Sequence, residues 1–330
     1  MITIIPPFSS INRQLSVKHL LENNLEMKFS FKQKVYYNYL RSVIPISVRK
    51  KIQEKYGADV KYKKNFIDST LVDYVFENET NKSSFENLYP GKAKFAVILT
   101  HDVETESGLK AVPQIIQLEA KYGFNSSWNL IPYKYKIDEA ILDLIRETNN
   151  EIGIHGYNHD GRLYFSKKIF MERAKYINEA LKKFGAVGFR SPMVHRNLEW
   201  LQELDINYDC SCFDYDPFQP FPGGTGSIWP FIAGKFVELP YTMPQDHTLF
   251  YVLKEKTIDI WRKKADWLVS RNGVILVLTH PDYLSEGSNI KMYEELLIYL
   301  SSLKNGYRPL PRELAGWWSS KHSGQYQGDS

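Results

Sequence analysis

The sequence predicts an α/β protein built on a parallel sheet or barrel and preceded by a mainly helical segment. Two observations carry this. From Lys94 onward, short apolar runs of strand length alternate with amphipathic runs of helix length, the rhythm of a parallel sheet covered by helices. The first ~92 residues lack that rhythm and combine helical periodicity with an excess of positive charge. We therefore divide the chain into an N-terminal basic helical appendage, residues 1–92, and a catalytic-type domain, residues 93–330.

In the appendage, Leu15 to Leu25 and Phe31 to Val43 have helical periodicity, Pro45 interrupts it, and Val48 to Tyr56 resumes a basic helix. Asn78 to Lys92 reads as a polar connection with a Pro90-Gly91 turn. Phe95-Ala96-Val97-Ile98-Leu99 is then a continuous apolar run, as in a strand buried on both faces. A helix over Gly108–Tyr122, ended by Gly123, leads to a strand over Ser126–Ile131 and a helix over Ile137–Thr148. Ile152-Gly153-Ile154 is a short strand, Ser166–Phe184 a long amphipathic helix and Val187-Gly188-Phe189-Arg190 the next strand. Leu198–Leu204 is a short helix, and Tyr208 opens another strand. Phe236-Val237-Glu238-Leu239 and Val274–Leu278 are strands flanking a helix at Thr257–Ser270. Asp216–Pro230 is a long Gly/Pro-rich loop, of a length that is often functional.

The bulk numbers exclude several classes. With 43% hydrophobic and 24% charged residues the composition is that of a globular protein. Aromatic residues, at 14%, suit a flat-faced ligand such as a carbohydrate and equally an aromatic-rich core. A net charge of +4 does not argue for nucleic acid. It is unevenly placed: residues 1–92 hold 15 Lys/Arg against 9 Asp/Glu. Within them the stretch 28–64 interleaves cations with Tyr36, Tyr37, Tyr39, Leu40, Val43 and Ile44. That composition fits a peripheral membrane contact or an anionic ligand, and also a solvated basic face on a helical cap. The two cysteines, Cys210 and Cys212, are too close on an extended chain for an unstrained disulfide, which fits a reducing compartment. Met1 to Ser10 has no positive region leading into a long apolar run, so neither a signal peptide nor a transmembrane span is read, and a cytoplasmic location is expected.

Four groups of polar residues fall where predicted strands end, the usual place for chemistry in such folds. His101, Asp102 and Glu104 follow Leu99. His155 and His159 follow Ile154 and stand four apart, so both imidazoles can reach one ion. Arg190 closes its strand and can orient a carboxylate. His280 follows Val274–Leu278 and has the ordinary pKa of a general acid or base. Each also has a bland reading as a cap, a surface pair or a structural histidine. Together they make the set that metal-assisted hydrolysis requires, with two histidines and a carboxylate leaving a position open for water. A two-histidine, one-carboxylate set also serves non-haem iron oxygenases, but on β-rich scaffolds rather than a βα chain.

These motifs resemble the polysaccharide deacetylase family, the chitooligosaccharide deacetylase-like carbohydrate esterases, over about residues 90 to 315. The resemblance implies a distorted (β/α) barrel and five ordered motifs. Thr100-His101-Asp102-Val103-Glu104 is similar to the first, which implies Asp102 as catalytic base and Glu104 at a metal-ligand position where the family has Asp. His155 and His159 match the two metal ligands of the second. Arg190 and Pro192 match the third, implying that Arg190 orients the base and that the Met193 N–H helps at the oxyanion. Tyr208-Asp209-Cys210-Ser211 resembles the fourth, whose Asp tunes the catalytic histidine; Asp209 takes that role, with Asp214 and Asp216 as alternatives. Leu278-Thr279-His280 resembles the fifth, with His280 as general acid. His159-Asp160-Gly161, Glu238-Leu239-Pro240 and Gln245-Asp246-His247 have the flavour of one branch of the family. The implied cofactor is a divalent metal, zinc foremost, and the implied reaction is removal of an N-acetyl group from an amino sugar in a glycan or glycan precursor. Hydrolysis of another C–N bond, in a cyclic imide or ureide, and an inactive carbohydrate-binding relative are the alternatives.

Overall fold

The computed structural model describes residues 2–8, 29–41, 43–45, 48, 51, 55, 65–79, 83–219 and 224–322. The helix read at Leu15–Leu25 and most of that at Val48–Tyr56 lie outside the described residues.

Ten strands form one curled sheet with helices outside it. They are β1 (Ile4–Ile5), β2 (Phe95–Val103), β3 (Ser126–Leu130), β4 (Glu151–His155), β5 (Gly188–Arg190), β6 (Tyr208–Asp209), β7 (Phe231–Ala233), β8 (Phe236–Glu238), β9 (Val274–Thr279) and β10 (Gly306–Tyr307). Strands β9, β2, β3, β4, β5, β6 and β8 pair in parallel in that order. Beyond β8 the Thr242 and Met243 N–H groups both donate to the Leu276 carbonyl, and the Leu276 N–H donates to Thr242 Oγ1 at 3.0 Å. The sheet thereby curls back onto β9, and the fold is the distorted (β/α) barrel that the resemblance implies. Antiparallel β7 and β1 extend its outer edge.

The helices follow the sequence signals. Thr105 caps Glu106–Lys121 by accepting from the Ser107 and Gly108 N–H groups. Ser166 caps Lys167–Phe184, and Gly185 ends that helix at a φ of 65°. Each buries one apolar stripe against the sheet, which is itself buried over the whole length of β2, β3, β4 and β9. The polar tail of β2 continues the apolar run at Phe95–Leu99 to Val103, because alternation sends its side chains to two different layers. Thr100 and Asp102 face the barrel interior, whereas His101 stacks on Trp128 with ring centres 4.2 Å apart and bonds Glu119 at 2.7 Å.

Several elements carry no clear sequence signal. Thr70–Asn78 is a helix, and the segment read as a polar connection holds a helical turn at Ser83–Glu86. Phe231–Ala233 directly after the Gly/Pro-rich loop is a strand, and helices Asn289–Ser302 and Pro311–His322 follow β9. The described residues before 93 pack on the barrel: Ile4 and Ile5 pair with Ala233 and Ile232, Phe8 meets Trp229 edge-on, and Leu71, Val72 and Val75 are buried. Among the described residues, no helix is long and apolar enough to cross a membrane.

Glu151 opens β4 in the core, where its carboxylate accepts from Tyr208 Oη at 2.8 Å and from the Arg312 N–H at 3.2 Å. Burial pushes its pKa from 4.5 up to about 7, and those donors only partly counter it. Between these values the native chain holds a proton that the unfolded chain has released. The resulting stability is complete below the unfolded pKa and is lost as pH rises through about 7, amounting to about 3 kcal/mol. Glu151→Gln should remove that slope: urea midpoints measured near about pH 5 and about pH 8 should converge in the variant and differ in the wild type.

Candidate metal centre

The polar residues singled out from the sequence gather at the C-terminal ends of the parallel strands. His155 and Arg190 are the last residues of β4 and β5, paired in register. Glu104 follows β2 and His280 follows β9.

Glu104, His155 and His159 each offer a ligand atom, and these atoms lie within 4.8 Å of one another. His155 Nδ1 faces the Arg190 carbonyl at 3.1 Å. A carbonyl only accepts, so Nδ1 carries the proton and the Nε2 lone pair is turned into the site. That Nε2 atom is buried without a hydrogen-bond partner, and so are both ring nitrogens of His159. His159 Nε2 is 2.8 Å from Glu104 Oε1, a charge contact without the alignment of a hydrogen bond. Buried imidazole nitrogens left unpaired beside a carboxylate are what a divalent cation would satisfy, and an N₂O donor set suits zinc. The residues present therefore fit the group.

The local chain is shaped to hold these ligands. Gly156, between the histidines, has a φ of 66°, and a Cβ there would meet Pro192 at 2.4 Å. Only glycine lets the His155–His159 loop lie so close to the Ser191–Val194 turn. Glu104 is fixed from behind, its N–H donating to Asp282 Oδ2 at 3.2 Å while the Thr105 hydroxyl donates to the same carboxylate.

Asp102 stands beside the ligands, its Oδ2 3.7 Å from His155 Nε2. Its other oxygen accepts from Asn129 Nδ2 at 2.9 Å and Arg190 Nη1 at 3.3 Å. Burial raises the Asp102 pKa, but His155, Arg190 and His280 outweigh it and hold the carboxyl below its ordinary value. Glu104 is likewise raised by burial and pulled well below its ordinary value by His159, His280 and His155. Burial drives His155 down to about 4, so it presents a neutral imidazole.

His280 is the opposite case. Its Nδ1 bonds Asp246 Oδ1 at 2.8 Å, and its backbone N–H donates to Asp246 Oδ2 at 2.7 Å. Burial lowers its pKa, yet Asp246, Glu104 and Asp102 overcome this and raise it to about 9. Its Nε2 lies 3.9 Å from Glu104 Oε1.

One expected role is corrected. Asp209 does not partner His280. Register pairs it with Glu238, burial raises both carboxyls, and its oxygens accept from Ser211 Oγ and the Ser211 N–H at 2.7 and 3.1 Å. Ser211 Oγ in turn accepts from the Ser191 N–H at 2.8 Å, so Asp209 braces the turn that carries Met193. The alternatives are also engaged elsewhere: Asp214 pairs with Lys264, and Asp216 accepts from the Phe218 N–H and Gln219. The histidine's partner is Asp246, reached by the chain after β8. Gln245-Asp246-His247 marks this position only weakly, as a single acid between polar neighbours with no strand end before it. Asn129 and Asp282 were also missed. Met193 sits in the Pro192–Val194 turn with a φ of 58°.

No family model matches the chain, and no curated protein does. Solved structures do. A protein described as a polysaccharide deacetylase from Mycobacterium smegmatis aligns with a TM-score of 0.59 at 18% identity, covering 71% of this chain and 93% of its own. Another so described, from Pseudomonas aeruginosa PAO1, gives 0.54 at 15% identity over 71% and 94%. The allantoinase PuuE gives 0.53 at 16% identity over 71% and 93%. At these identities the likeness is one of architecture, and the chain has the curled (β/α) barrel fold of the polysaccharide deacetylases.

Proposed function

We propose that the chain is a metal-dependent hydrolase that removes N-acetyl groups from an amino sugar in a polysaccharide or glycan precursor. The observation that carries this reading is the grouping of three ligand-type side chains with a buried carboxylate held ionised and a histidine held protonated, Asp102 3.7 Å from His155 and His280 3.9 Å from Glu104. Titratable groups whose environments push them apart are the mark of an acid–base pair.

Glu104, His155 and His159 would hold the ion, which when bound supplies Lewis acidity toward a water and the amide carbonyl. Asp102 is the general base that takes the proton of the attacking water, with Arg190 and Asn129 fixing the carboxylate. The Met193 N–H stands free of its turn, whose bonds are donated by Val194 and His195 to Ser191 and Pro192, and it serves the oxyanion. His280, charged at neutral pH, gives its proton to the departing amine as the C–N bond breaks. Water and the acetamide are thereby converted into acetate and a free amine. Tyr133, Tyr157 and Tyr176 form a cluster of rings beside the His159 loop that suits the apolar face of a sugar. Hydrolysis of a cyclic amide is a second reading, favoured by the likeness to an allantoinase.

The zinc-loaded chain should release acetate from N-acetylated glycans. His155→Ala should lower kcat/KM by about a hundredfold or more and reduce bound metal, whereas Asp102→Asn should lower kcat comparably and keep the metal. Absence of acetate from any N-acetylated glycan or precursor that the loaded protein binds would overturn the assignment, and turnover of a cyclic amide instead would establish the second reading.

His280 works protonated, so activity should fall as pH rises through its pKa of about 9. Asp246→Asn removes the largest of the charges that raise that pKa. His280 should then titrate closer to 6.5, read by NMR of its ring carbons, and the alkaline limb of the rate profile should shift down with it.

A further inference from the structure

The segment that leads into the barrel has two unlike faces. Met27 to Gln53 contains seven Lys/Arg and no Asp or Glu. Ser30 caps a helix over Phe31–Val35, which continues through one π-type turn at Tyr36–Leu40. On the inner face Phe29 meets Phe165 and His195 edge-on, with ring centres 4.9 and 5.0 Å apart. Tyr37 Oη bonds His195 Nε2 at 3.3 Å, and its ring occupies the place a Gly161 Cβ would need. Arg41 Nη1 donates to the His159 carbonyl at 3.1 Å. This face therefore sits on the two loops that carry the metal-centre residues His159 and Met193.

Tyr39 and Val43, two residues beyond the inward pair Tyr37 and Arg41, point the other way. Phe31 is 82% exposed, Val43 75% and Tyr39 68%, with Leu40 and Val48 also exposed. Five of the eight exposed large hydrophobic side chains among the described residues belong to this one segment. Single exposed apolar residues are ordinary, but a cluster interleaved with Lys32, Lys34 and Lys51, all exposed, is not.

We propose that this outer face docks on an anionic membrane surface. Aromatic and aliphatic side chains enter the headgroup–acyl boundary while lysines meet the anionic heads. A nucleic acid would satisfy the cations and leave Leu40 and Val43 in water. An apolar groove on a protein would bury the apolar side chains but gives no reason for the exposed Lys32, Lys34 and Lys51 beside them. The docking is independent of the chemistry at the site, so the two readings fail separately.

The full-length protein is sedimented with phosphatidylcholine vesicles with and without phosphatidylglycerol. It should bind the anionic vesicles, weakly or not at all the neutral ones, and less as salt is raised. The double variant Tyr39→Ser/Val43→Ser should bind roughly tenfold more weakly or worse, and Lys32→Glu/Lys34→Glu should abolish the salt-sensitive part. Both should keep the wild-type metal content and melting temperature. No binding to anionic vesicles, equal binding to neutral ones, or equal binding by the variants with unchanged folding would overturn the proposal. So would self-association abolished by Tyr39→Ser/Val43→Ser in place of vesicle binding, which would assign the face to a second copy of the chain.

Discussion

The buried guanidinium of Arg190 is the interaction on which the rest of the site depends. It lies fully inside the barrel, where an uncompensated charge would be strongly unfavourable. Its Nε donates to the Cys210 carbonyl at 3.0 Å, tying β5 to the end of β6, and its Nη1 donates to Thr100 Oγ1 at 2.9 Å, tying β5 across to β2. The compensating charge is Asp102, so the ion pair that makes the guanidinium tolerable also orients the carboxylate. The carbonyl of the same residue fixes the His155 tautomer. One residue thus orders Asp102 and His155 through opposite ends of its structure, and loss of its charge would remove the cation that Asp102 directly pairs with.

The fold was legible because its strands are buried on both faces and read as apolar runs: Phe95–Leu99 and Val274–Leu278 need no tertiary information to be recognised. The candidate site was legible in its ligands for a related reason. A barrel places its chemistry where strands end, so His155, Arg190 and His280 stand out against the apolar residues before them. Asp209 shows where that logic fails. It too ends a strand, but the register sets it beside Glu238, and two buried acids side by side become a bracing pair rather than a charge available to a histidine. Asp246 was hidden because it is presented by an irregular loop, where neither period nor strand end marks it. Ile4–Ile5 and Phe231–Ala233 are too short for a pattern, and each is a strand only because the other end of the chain, or the next hairpin, supplies its partner.

The site is electrically sided. On the Arg190 side, charge is arranged to keep a carboxylate ionised; on the Asp246 side, it is arranged to keep an imidazole protonated. His155 is kept neutral by burial even though Asp102 is near. The opposite biases are built into where each group leaves the barrel, Asp102 on β2 beside Arg190 and His280 after β9 beside Asp246. Asp282 and Asn129 belong to the same scheme: they restrain Glu104 and Asp102 and leave the charges of both unchanged.

The pairing of Ile4–Ile5 with Phe231–Ala233 has a consequence for the order of events during synthesis. The partner of the first strand is made only after most of the chain, so this edge of the sheet cannot close until then. The same holds for the contacts of Tyr37 and Arg41 with the loops around His159 and His195. A nascent chain emerging from the ribosome therefore carries its basic, aromatic leading segment unattached while the barrel assembles behind it. Whatever that segment meets in that interval, a bilayer included, it meets before its own contacts with the His159 and His195 loops have formed.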